Sequence, residues 1–282
     1  MMHRFPARFR RLALSMPAAA LLALVTFSSA PAQPPTLPTL DQILQQLEKN
    51  LRTYDAKVPS LFCNEHVVSK IDPAQLHSST VTDSIFRLKR IANPDHTTRL
   101  EESREIKSVD GRPATGETIN GPAVLQGAFS GGIATVSLNQ QACMRYKLDP
   151  IKRAGKPYIV EFTSVYKRDH PPNCLLEEDG SGRVFIDPTT MQIKRMELTA
   201  PNHTMVYPRD ASGYTPPPVT GVWIITIDYA PVPLGGQIFW LPATVTSSMT
   251  GVSNFRQTTW SFNAHYTNYH KLEVTSRIVP VP

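Results

Sequence analysis

The feature that most constrains this chain is an alternation of apolar and polar residues that occupies the second half of the sequence. In one segment Ile225, Ile227 and Tyr229 alternate with Thr226 and Asp228. Successive side chains of a β-strand point to opposite faces, so each such segment predicts a strand with one apolar face. The pattern predicts an antiparallel meander over residues 61–282 that is apolar on one side.

The segment before the strands has a helical period instead. Thr39 and Gln42 have the spacing of a capping box, and the apolar residues that follow recur at three and four residues. We therefore expect one amphipathic helix over residues 39–57. Its apolar stripe consists of Leu40, Ile43, Leu44, Leu47, Leu51 and Tyr54.

The predicted sheet is too wide for the predicted helix to cover. About ten strands at a spacing of about 4.8 Å make a sheet about 50 Å wide, whereas a helix of about 18 residues is about 27 Å long and 10 Å across. The sheet must therefore curl around the helix. The expected fold class is mostly β (α+β), a curved antiparallel sheet or half-barrel wrapped on an N-terminal amphipathic helix.

Turn residues place some of the connections. Asp110-Gly111 has the composition of a type I′ hairpin turn, and Asp179-Gly180 and Asp187-Pro188 predict two further turns. Residues 99–109 are charged on both faces, which indicates an edge hairpin. The glycine-containing stretch 121–141 is interpreted as a short helix or as a loop that crosses the sheet.

The N-terminus has the order of an export signal. Four arginines precede an apolar stretch from Leu12 to Phe27, and small residues that end in Ala30-Pro31-Ala32 follow it. This order predicts a signal peptide over residues 1–32, a Pro-rich spacer over 33–38 and a single domain over 39–282. A membrane anchor is the alternative, but Ser15 and Pro17 interrupt the apolar run. We expect a periplasmic or secreted protein with no transmembrane anchor in the mature chain.

Removal of residues 1–32 would also take away most of the positive charge. The full chain has a net charge of +6, and four arginines lie in the predicted signal peptide. The mature chain would keep a net charge of about +2. The basic isoelectric point is therefore no indication of a nucleic-acid partner.

Three cysteines occur in the chain, and an oxidising compartment favours pairing two of them. We favour a disulfide between Cys143 and Cys174, which lie at the outer ends of neighbouring predicted strands. Pairings with Cys63 remain open on spacing alone.

The apolar face of the curved sheet is the candidate binding surface. A space between sheet and helix, lined by aromatic and aliphatic side chains, would suit an acyl chain or another apolar group. For any one aromatic side chain, simple filling of the core is the more common role. The candidate ligand-binding residues are Tyr146, Phe162, Met196, Trp223, Ile225, Phe239, Leu241, Trp260 and Phe262.

Motifs for catalysis, cofactors and metals are absent from the sequence. There is no nucleophile elbow and no glycine-rich nucleotide loop. His265 and His270 are five residues apart on a strand, which places them on opposite faces. We therefore predict no catalytic residue, no cofactor and no metal site, with a hydrolase whose site is assembled from distant segments as the alternative.

One hairpin carries a family resemblance. The segment from Gly182 to Leu198, with Ile186-Asp187-Pro188 at its turn, is followed later by Trp240-Leu241-Pro242. This order, in a chain with an export signal and an N-terminal helix, resembles the LolA/LolB-like superfamily. The resemblance implies an unclosed β-barrel covered by helices, whose apolar cavity receives the acyl chains of lipoproteins in the known carriers.

These features lead to two hypotheses for the function of the protein, which belong to different classes. The first is an exported envelope protein that binds a lipid, an acyl chain or an acylated peptide in the concave face of the sheet, as a carrier. The second is a non-catalytic structural or interaction module that binds another envelope protein.

Overall fold

The computed structural model of this protein describes residues 37–73, 78–92, 98–114, 129, 131–150, 155–165, 171, 174–176, 178–205, 217–253 and 256–272. The chain divides into two compact units, Met1–Leu37 and Pro38–Pro282. Of the first unit only Leu37 is described, so the predicted signal peptide lies outside the described residues.

One long helix and eleven strands form the described structure. The helix α1 spans Leu40–Lys57, and a short helix α2 (Gly131–Ala134) and a 3-10 helix (Leu138–Gln140) lie in the middle of the chain. The strands are β1 (Leu61–Pro73), β2 (Ser78–Ala92), β3 (Thr98–Val109), β4 (Arg112–Pro113), β5 (Met144–Leu148), β6 (Tyr158–Ser164), β7 (Ser181–Ile186), β8 (Ile193–Met205), β9 (Val219–Leu234), β10 (Gln237–Ser253) and β11 (Arg256–Lys271).

All the strands belong to one open antiparallel sheet, so the predicted fold class is confirmed. The strand order is β4-β3-β2-β1-β11-β10-β9-β8-β7-β6-β5. The single meander expected over 61–282 is in fact two meanders, β1–β4 and β5–β11, that join where the first strand pairs with the last. Alternation determines which face a residue occupies and not which strand lies beside it, so the pattern could not reveal this break.

Helix α1 begins as the capping box predicts. The Gln42 N–H donates to Thr39 Oγ1, and the Thr39 N–H donates to the Gln42 side chain. The apolar stripe then turns inward because its residues recur on one face of the helix. The buried residues of α1 are Ile43, Leu44, Leu47, Glu48, Leu51 and Tyr54.

The connection between β4 and β5 supplies the second part of the covering layer. Phe129 stacks on Phe86 of β2 at a centroid distance of 4.3 Å, and further along Gly132 packs against Tyr229 of β9. Tyr146 of β5 donates to the Thr135 carbonyl at 2.8 Å. The described part of this connection, residue 129 and residues 131–143, therefore lies against the inner face of the sheet and contains two short helices. Residues 121–128 of the stretch interpreted as a short helix or a crossing loop lie outside the described residues.

A buried carboxylate joins the two covering elements. Glu48 Oε2 accepts hydrogen bonds from Ser137 Oγ at 2.9 Å and from the Leu138 N–H at 3.0 Å, and Glu48 Oε1 accepts from Arg52 at 2.8 Å. Burial alone would raise the pKa of Glu48, but these hydrogen bonds outweigh it and hold the pKa below its ordinary value.

A buried ion pair lies on the inner face of the first meander. The Arg104 guanidinium donates to both carboxylate oxygens of Glu65, at 2.9 and 2.8 Å, and it lies over the Phe86 ring. Glu65 is only 2% exposed. This pair explains why the sequence of β3 has charged residues on both faces, since Arg104 points inward to the Glu65 carboxylate.

Two of the predicted turns form, at Asp110-Gly111 and at Asp187-Pro188 between β7 and β8, and one does not. Asp110 and Gly111 have positive φ values of 48° and 74°, as a type I′ turn requires. The connection between β6 and β7 spans residues 165–180. Asp179-Gly180 therefore does not form the expected hairpin turn but leads out of a long loop into β7.

The disulfide between Cys143 and Cys174 is confirmed. It ties the start of β5 to the long connection before β7, two segments that lie 31 residues apart. Cys63 is a free, buried thiol on β1. Burial, with the nearby Glu65 carboxylate, raises the pKa of the Cys63 thiol to about 12.

The thiol assignment predicts a simple titration result. Native protein should show no reaction with Ellman's reagent, because the Cys63 thiol is both buried and protonated. Unfolding in guanidinium chloride without reductant should expose one thiol per chain, and Cys63→Ala should abolish it. Three reactive thiols after unfolding would contradict the disulfide.

The position of Glu48 predicts a pH-dependent stability. Glu48→Gln should lower the free energy of unfolding at pH 7 by about 1.5–3 kcal/mol, because it removes a charged acceptor from a buried site. The lowered pKa means that the carboxylate stabilises fully above its unfolded pKa and loses this effect as the pH falls through the folded pKa. The difference between the two proteins should therefore shrink below about pH 4.5.

Urea unfolding followed by circular dichroism measures this difference. Glu161→Gln is the matched control, since Glu161 forms an exposed 3.5 Å pair with Lys147 and should contribute less than about 1 kcal/mol. A Glu48→Gln difference that stays constant down to pH 3 would show that the hydrogen bonds at Glu48 do not depend on its charge.

Candidate ligand-binding cavity

A cavity of about 410 Å³ lies between α1 and the sheet. Its walls come from α1, α2, the start of β8, the end of β9 and the start of β10. The lining residues are Leu47, Asn50, Thr53, Tyr54, Lys57, Ile133, Gln192, Ile193, Tyr229, Gln237, Ile238, Phe239 and Trp240.

The helix contributes an apolar wall and a polar rim. Leu47 and Tyr54 belong to the buried stripe of α1, so their side chains face the sheet. Asn50, Thr53 and Lys57 line the cavity from the neighbouring face of the helix, and both Thr53 and Lys57 are exposed. An apolar interior thus passes into a rim that carries hydroxyl, amide and ammonium groups.

The turn between β7 and β8 is fixed against the helix. The Asp187 carboxylate accepts a hydrogen bond from the Thr190 N–H at 2.9 Å. The Asn50 side chain donates to the Met191 carbonyl at 2.6 Å. These bonds hold the start of β8 beside α1, and Ile193 thereby reaches the cavity.

The mouth of the cavity is bordered by its exposed lining residues, which are Thr53 and Lys57 of α1 and Gln237 and Ile238 beside the hairpin between β9 and β10. Gly235 and Gly236 form its turn with positive φ values of 58° and 80°, which residues other than glycine rarely adopt. Ile238 directly after the turn is 68% exposed, whereas Phe239 is 7% exposed. The exposed side chain of Ile238 therefore lies at the entrance of the cavity, and the next residue, Phe239, is already buried.

Tyr229 lines the cavity, but its hydroxyl group is packed against Gly132 and does not reach the cavity surface. Its hydroxyl oxygen is inaccessible to solvent and has no hydrogen-bond partner among the described residues. Burial, with a smaller effect of Tyr54, raises the pKa of Tyr229 far above its ordinary value. The group is therefore a neutral hydroxyl at any physiological pH.

The predicted ligand-binding residues lie mainly in the packed core. Seven of the nine are at most 7% exposed: Phe162, Met196, Ile225, Phe239, Leu241, Trp260 and Phe262. Phe239 lines the cavity, and the other eight are not among its lining residues. The structure thus brings one member of the predicted set to the cavity.

Tyr146 and Trp223 are partly buried, and each is held by a hydrogen bond. Tyr146 donates to the Thr135 carbonyl in the connection between β4 and β5. The Trp223 indole N–H donates to Ser247 Oγ at 2.7 Å, and the Trp223 ring stacks on His203. Both side chains therefore have structural partners within the chain.

Sequence reasoning missed several side chains that line the cavity, above all Trp240 and Tyr229. One signal could have pointed to Trp240. Ile238, Phe239, Trp240 and Leu241 are four consecutive apolar residues, and such a run breaks the period of two that one-sided burial produces. It marks a place where successive residues of β10 line the cavity.

The histidines on β11 lie on the same side of the sheet, contrary to the expectation from spacing. Asn268, at a φ of 55°, adds one residue to β11 where its register with β1 shifts. His265 and His270 are consequently both exposed. Among the described residues, no group of three or more His, Cys, Asp or Glu is arranged to hold a metal ion.

The close packing of Gly132 on Tyr229 predicts a steric effect. A Cβ atom at position 132 would lie 2.1 Å from Tyr229 Oη and 2.9 Å from Ile227 Cδ1. Gly132→Ala should therefore lower the free energy of unfolding by about 1–3 kcal/mol, although alanine in a helix is otherwise favoured by about 1 kcal/mol.

A double variant tests the cause of this loss. Tyr229→Phe removes the closest atom, so adding it to Gly132→Ala should recover part of the lost stability in urea unfolding. Gly132→Ala with wild-type stability would contradict the packing of α2 on β9.

Comparison with known proteins gives matches in fold only. No family model and no curated protein sequence matches this chain. No helix among the described residues has both the length and the apolar character needed to cross a membrane.

Three solved structures are similar to this chain over most of its length. A LolA superfamily protein from Nitrosomonas europaea is 9% identical with a TM-score of 0.31, covering 82% of this chain and 94% of its own. A DUF1329 family protein from Desulfovibrio piger is 10% identical with a TM-score of 0.35, covering 83% and 95%. The Pseudomonas aeruginosa MucA/MucB complex structure matches at 9% identity and a TM-score of 0.24, covering 79% and 94%. The first of these structures carries the name of the superfamily that the hairpin motif resembles.

Proposed function

We propose that this chain is an exported envelope protein that binds an apolar ligand, such as a lipid acyl chain or an acylated peptide, and carries it. The cavity of about 410 Å³ between α1 and β8–β10 is the observation that supports this proposal. It falls within the range of about 300–1,000 Å³ that small-molecule sites occupy.

The lining of the cavity suits a chain-like apolar ligand. Leu47, Ile133, Ile193 and Phe239 supply aliphatic and aromatic walls. A methylene group transferred from water to such walls gains about 0.8 kcal/mol. The polar rim on α1, which includes Lys57, would then lie beside the hydrated end of the ligand.

Access to the cavity favours exchange of the ligand. The mouth is bordered by α1 and by the β9–β10 hairpin, beside which Ile238 is exposed. The middle of α1 is fixed to the connection between β4 and β5 through Glu48. A ligand could therefore enter at the hairpin without separating the helix from its anchoring contacts.

The disulfide supports the export part of the proposal. Disulfides persist in the periplasm and outside the cell and are rare in the cytosol. The bond between Cys143 and Cys174 joins two segments of the same sheet region and is compatible with such a compartment. The proposed location is periplasmic or secreted.

A second candidate function rests on the outer face of the sheet. Val222, Ile224 and Val252 are 42%, 44% and 54% exposed, and they lie on the neighbouring strands β9 and β10. Exposed apolar side chains that cluster in this way are typical of protein interaction surfaces. An envelope protein that docks there would make the chain an interaction module.

Tryptophan fluorescence tests the binding proposal directly. The chain has three tryptophans, and only Trp240 lines the cavity, since Trp223 and Trp260 are not among its lining residues. Titration with 9,10-dibromostearic acid should quench the Trp240 emission in a saturable manner, because bromine quenches an indole that it contacts. Trp240→Phe should abolish this component, whereas Trp223→Phe should retain it.

A second pair of variants tests the cavity without changing a tryptophan: one variant blocks the cavity and the other is its control. Thr53→Phe adds bulk at the rim and should weaken binding about tenfold, equal to about 1.4 kcal/mol. Gln45→Phe is the control, as Gln45 is an exposed residue of α1 outside the cavity. Absence of saturable quenching, or quenching that survives Trp240→Phe, would rule out this cavity as the binding site.

A further inference from the structure

Several polar side chains that line the cavity are already engaged within the chain. Asn50 and Thr53 each donate to a backbone carbonyl, at 2.6 and 2.8 Å. The Tyr54 hydroxyl donates to the Phe129 carbonyl at 3.1 Å. These three side chains therefore serve the fold and hold the walls of the cavity in place.

Three other polar lining side chains have no such partner. Lys57, Gln192 and Gln237 reach the cavity from α1, from the turn between β7 and β8 and from the start of β10. In the part of the chain that the structure describes, none of the three side chains forms a hydrogen bond or an ion pair. Ammonium and amide N–H groups are thus available to a ligand at the rim.

Lys57 carries the one charge among the described lining residues, which include no Asp or Glu. The acidic residues near it on α1 have other cations. Glu48 pairs with Arg52 at 2.8 Å. Burial raises the pKa of Asp55, and the Arg90 guanidinium opposes this shift. The mouth of the cavity is therefore positively charged, without a carboxylate of its own to balance Lys57.

The end of helix α1 has a cation other than Lys57. A positive group near a helix C-terminus stabilises the helix through its free carbonyl groups. Arg90 of β2 fills this role, because its Nε donates at 2.9 Å to the carbonyl of Val58, the residue that caps α1. The charge of Lys57 is therefore not needed to complete the helix.

From these contacts we infer that Lys57 is a specificity-determining residue, which pairs with a single negative charge on the head of an aliphatic ligand. The inference rests on the proposed function and narrows its ligand class. The preferred ligand is a long-chain carboxylate, rather than a neutral ester or an acyl group joined to a peptide. Its chain lies against Leu47, Ile193 and Phe239, and its carboxylate lies at the mouth.

The exposure of the rim suits a charged head. Lys57 and Gln237 are both exposed, so a carboxylate beside them keeps part of its hydration. The pair therefore avoids the large desolvation penalty of a buried ion pair. A carboxylate can also accept several hydrogen bonds, and the amides of Gln192 and Gln237 offer additional donors. One ammonium group balances one negative charge, which favours a carboxylate over a doubly charged head.

Two brominated ligands with the same chain test the inference. They are 9,10-dibromostearic acid and its methyl ester, each delivered from cyclodextrin at about pH 8.5, where the acid is ionised. Both should quench Trp240, so each titration gives an affinity, and the ratio of acid to ester affinity is the quantity compared between proteins. In the wild-type protein this ratio should fall in about 1 M NaCl, which screens an exposed pair.

Lys57→Gln should lower the ratio about 2- to 5-fold, the effect of an exposed ion pair, and should leave the affinity for the ester unchanged. Lys57→Arg should keep the wild-type ratio, because it keeps the charge. Lys49→Gln is the matched control, since Lys49 is an exposed residue of α1 that does not line the cavity. It removes the same charge and should not change the ratio.

Three results would overturn the inference. A wild-type ratio in Lys57→Gln would show that the ammonium group does not select the head of the ligand. Equal losses of acid and ester affinity in that variant would mark Lys57 as a structural residue. An equal fall of the ratio in Lys49→Gln would reduce the effect to net charge. Failure of both ligands to quench Trp240 in the wild-type protein would instead overturn the proposed function.

Discussion

The apolar inner face of an open eleven-stranded sheet must be covered, and one helix of 18 residues is too small to do so. The connection between β4 and β5 supplies a further part of the cover, with Phe129 against β2 and Gly132 against β9. Helix and connection meet at Glu48, where a single carboxylate serves both. The cavity lies where this cover ends, at the β9–β10 hairpin.

Much of this fold could be predicted from the sequence, because the relevant signals are local. The capping box at Thr39, the period of two along β9 and the turn at Asp110-Gly111 each depend on a few neighbouring residues. The order of strands is not a local property. Pairing of β1 with β11 joins segments at opposite ends of the chain, and no alternation pattern specifies that choice.

The cavity was harder to predict than the sheet around it. The difference in size between the helix and the sheet correctly indicated that the helix leaves part of the apolar face uncovered. It did not indicate which strands remain uncovered. The largest inward residues, such as Phe262 and Trp260, lie in the packed core. Trp240 and Tyr229 line the cavity because of where α1 and the connection between β4 and β5 end, and that depends on tertiary packing.

The pairing of β1 with β11 has a consequence for the order in which the chain can fold. These strands are the fourth and fifth of the eleven in the sheet, and β11 is the last of the described strands along the chain. The backbone hydrogen bonds that join the two meanders into one sheet cannot form until β11 has been made. Long-range pairing of this kind is slow to form. The nascent chain therefore cannot complete its sheet during most of its synthesis. For a protein proposed to leave the cytoplasm, this delay would keep the polypeptide in a state that a translocation channel can accept.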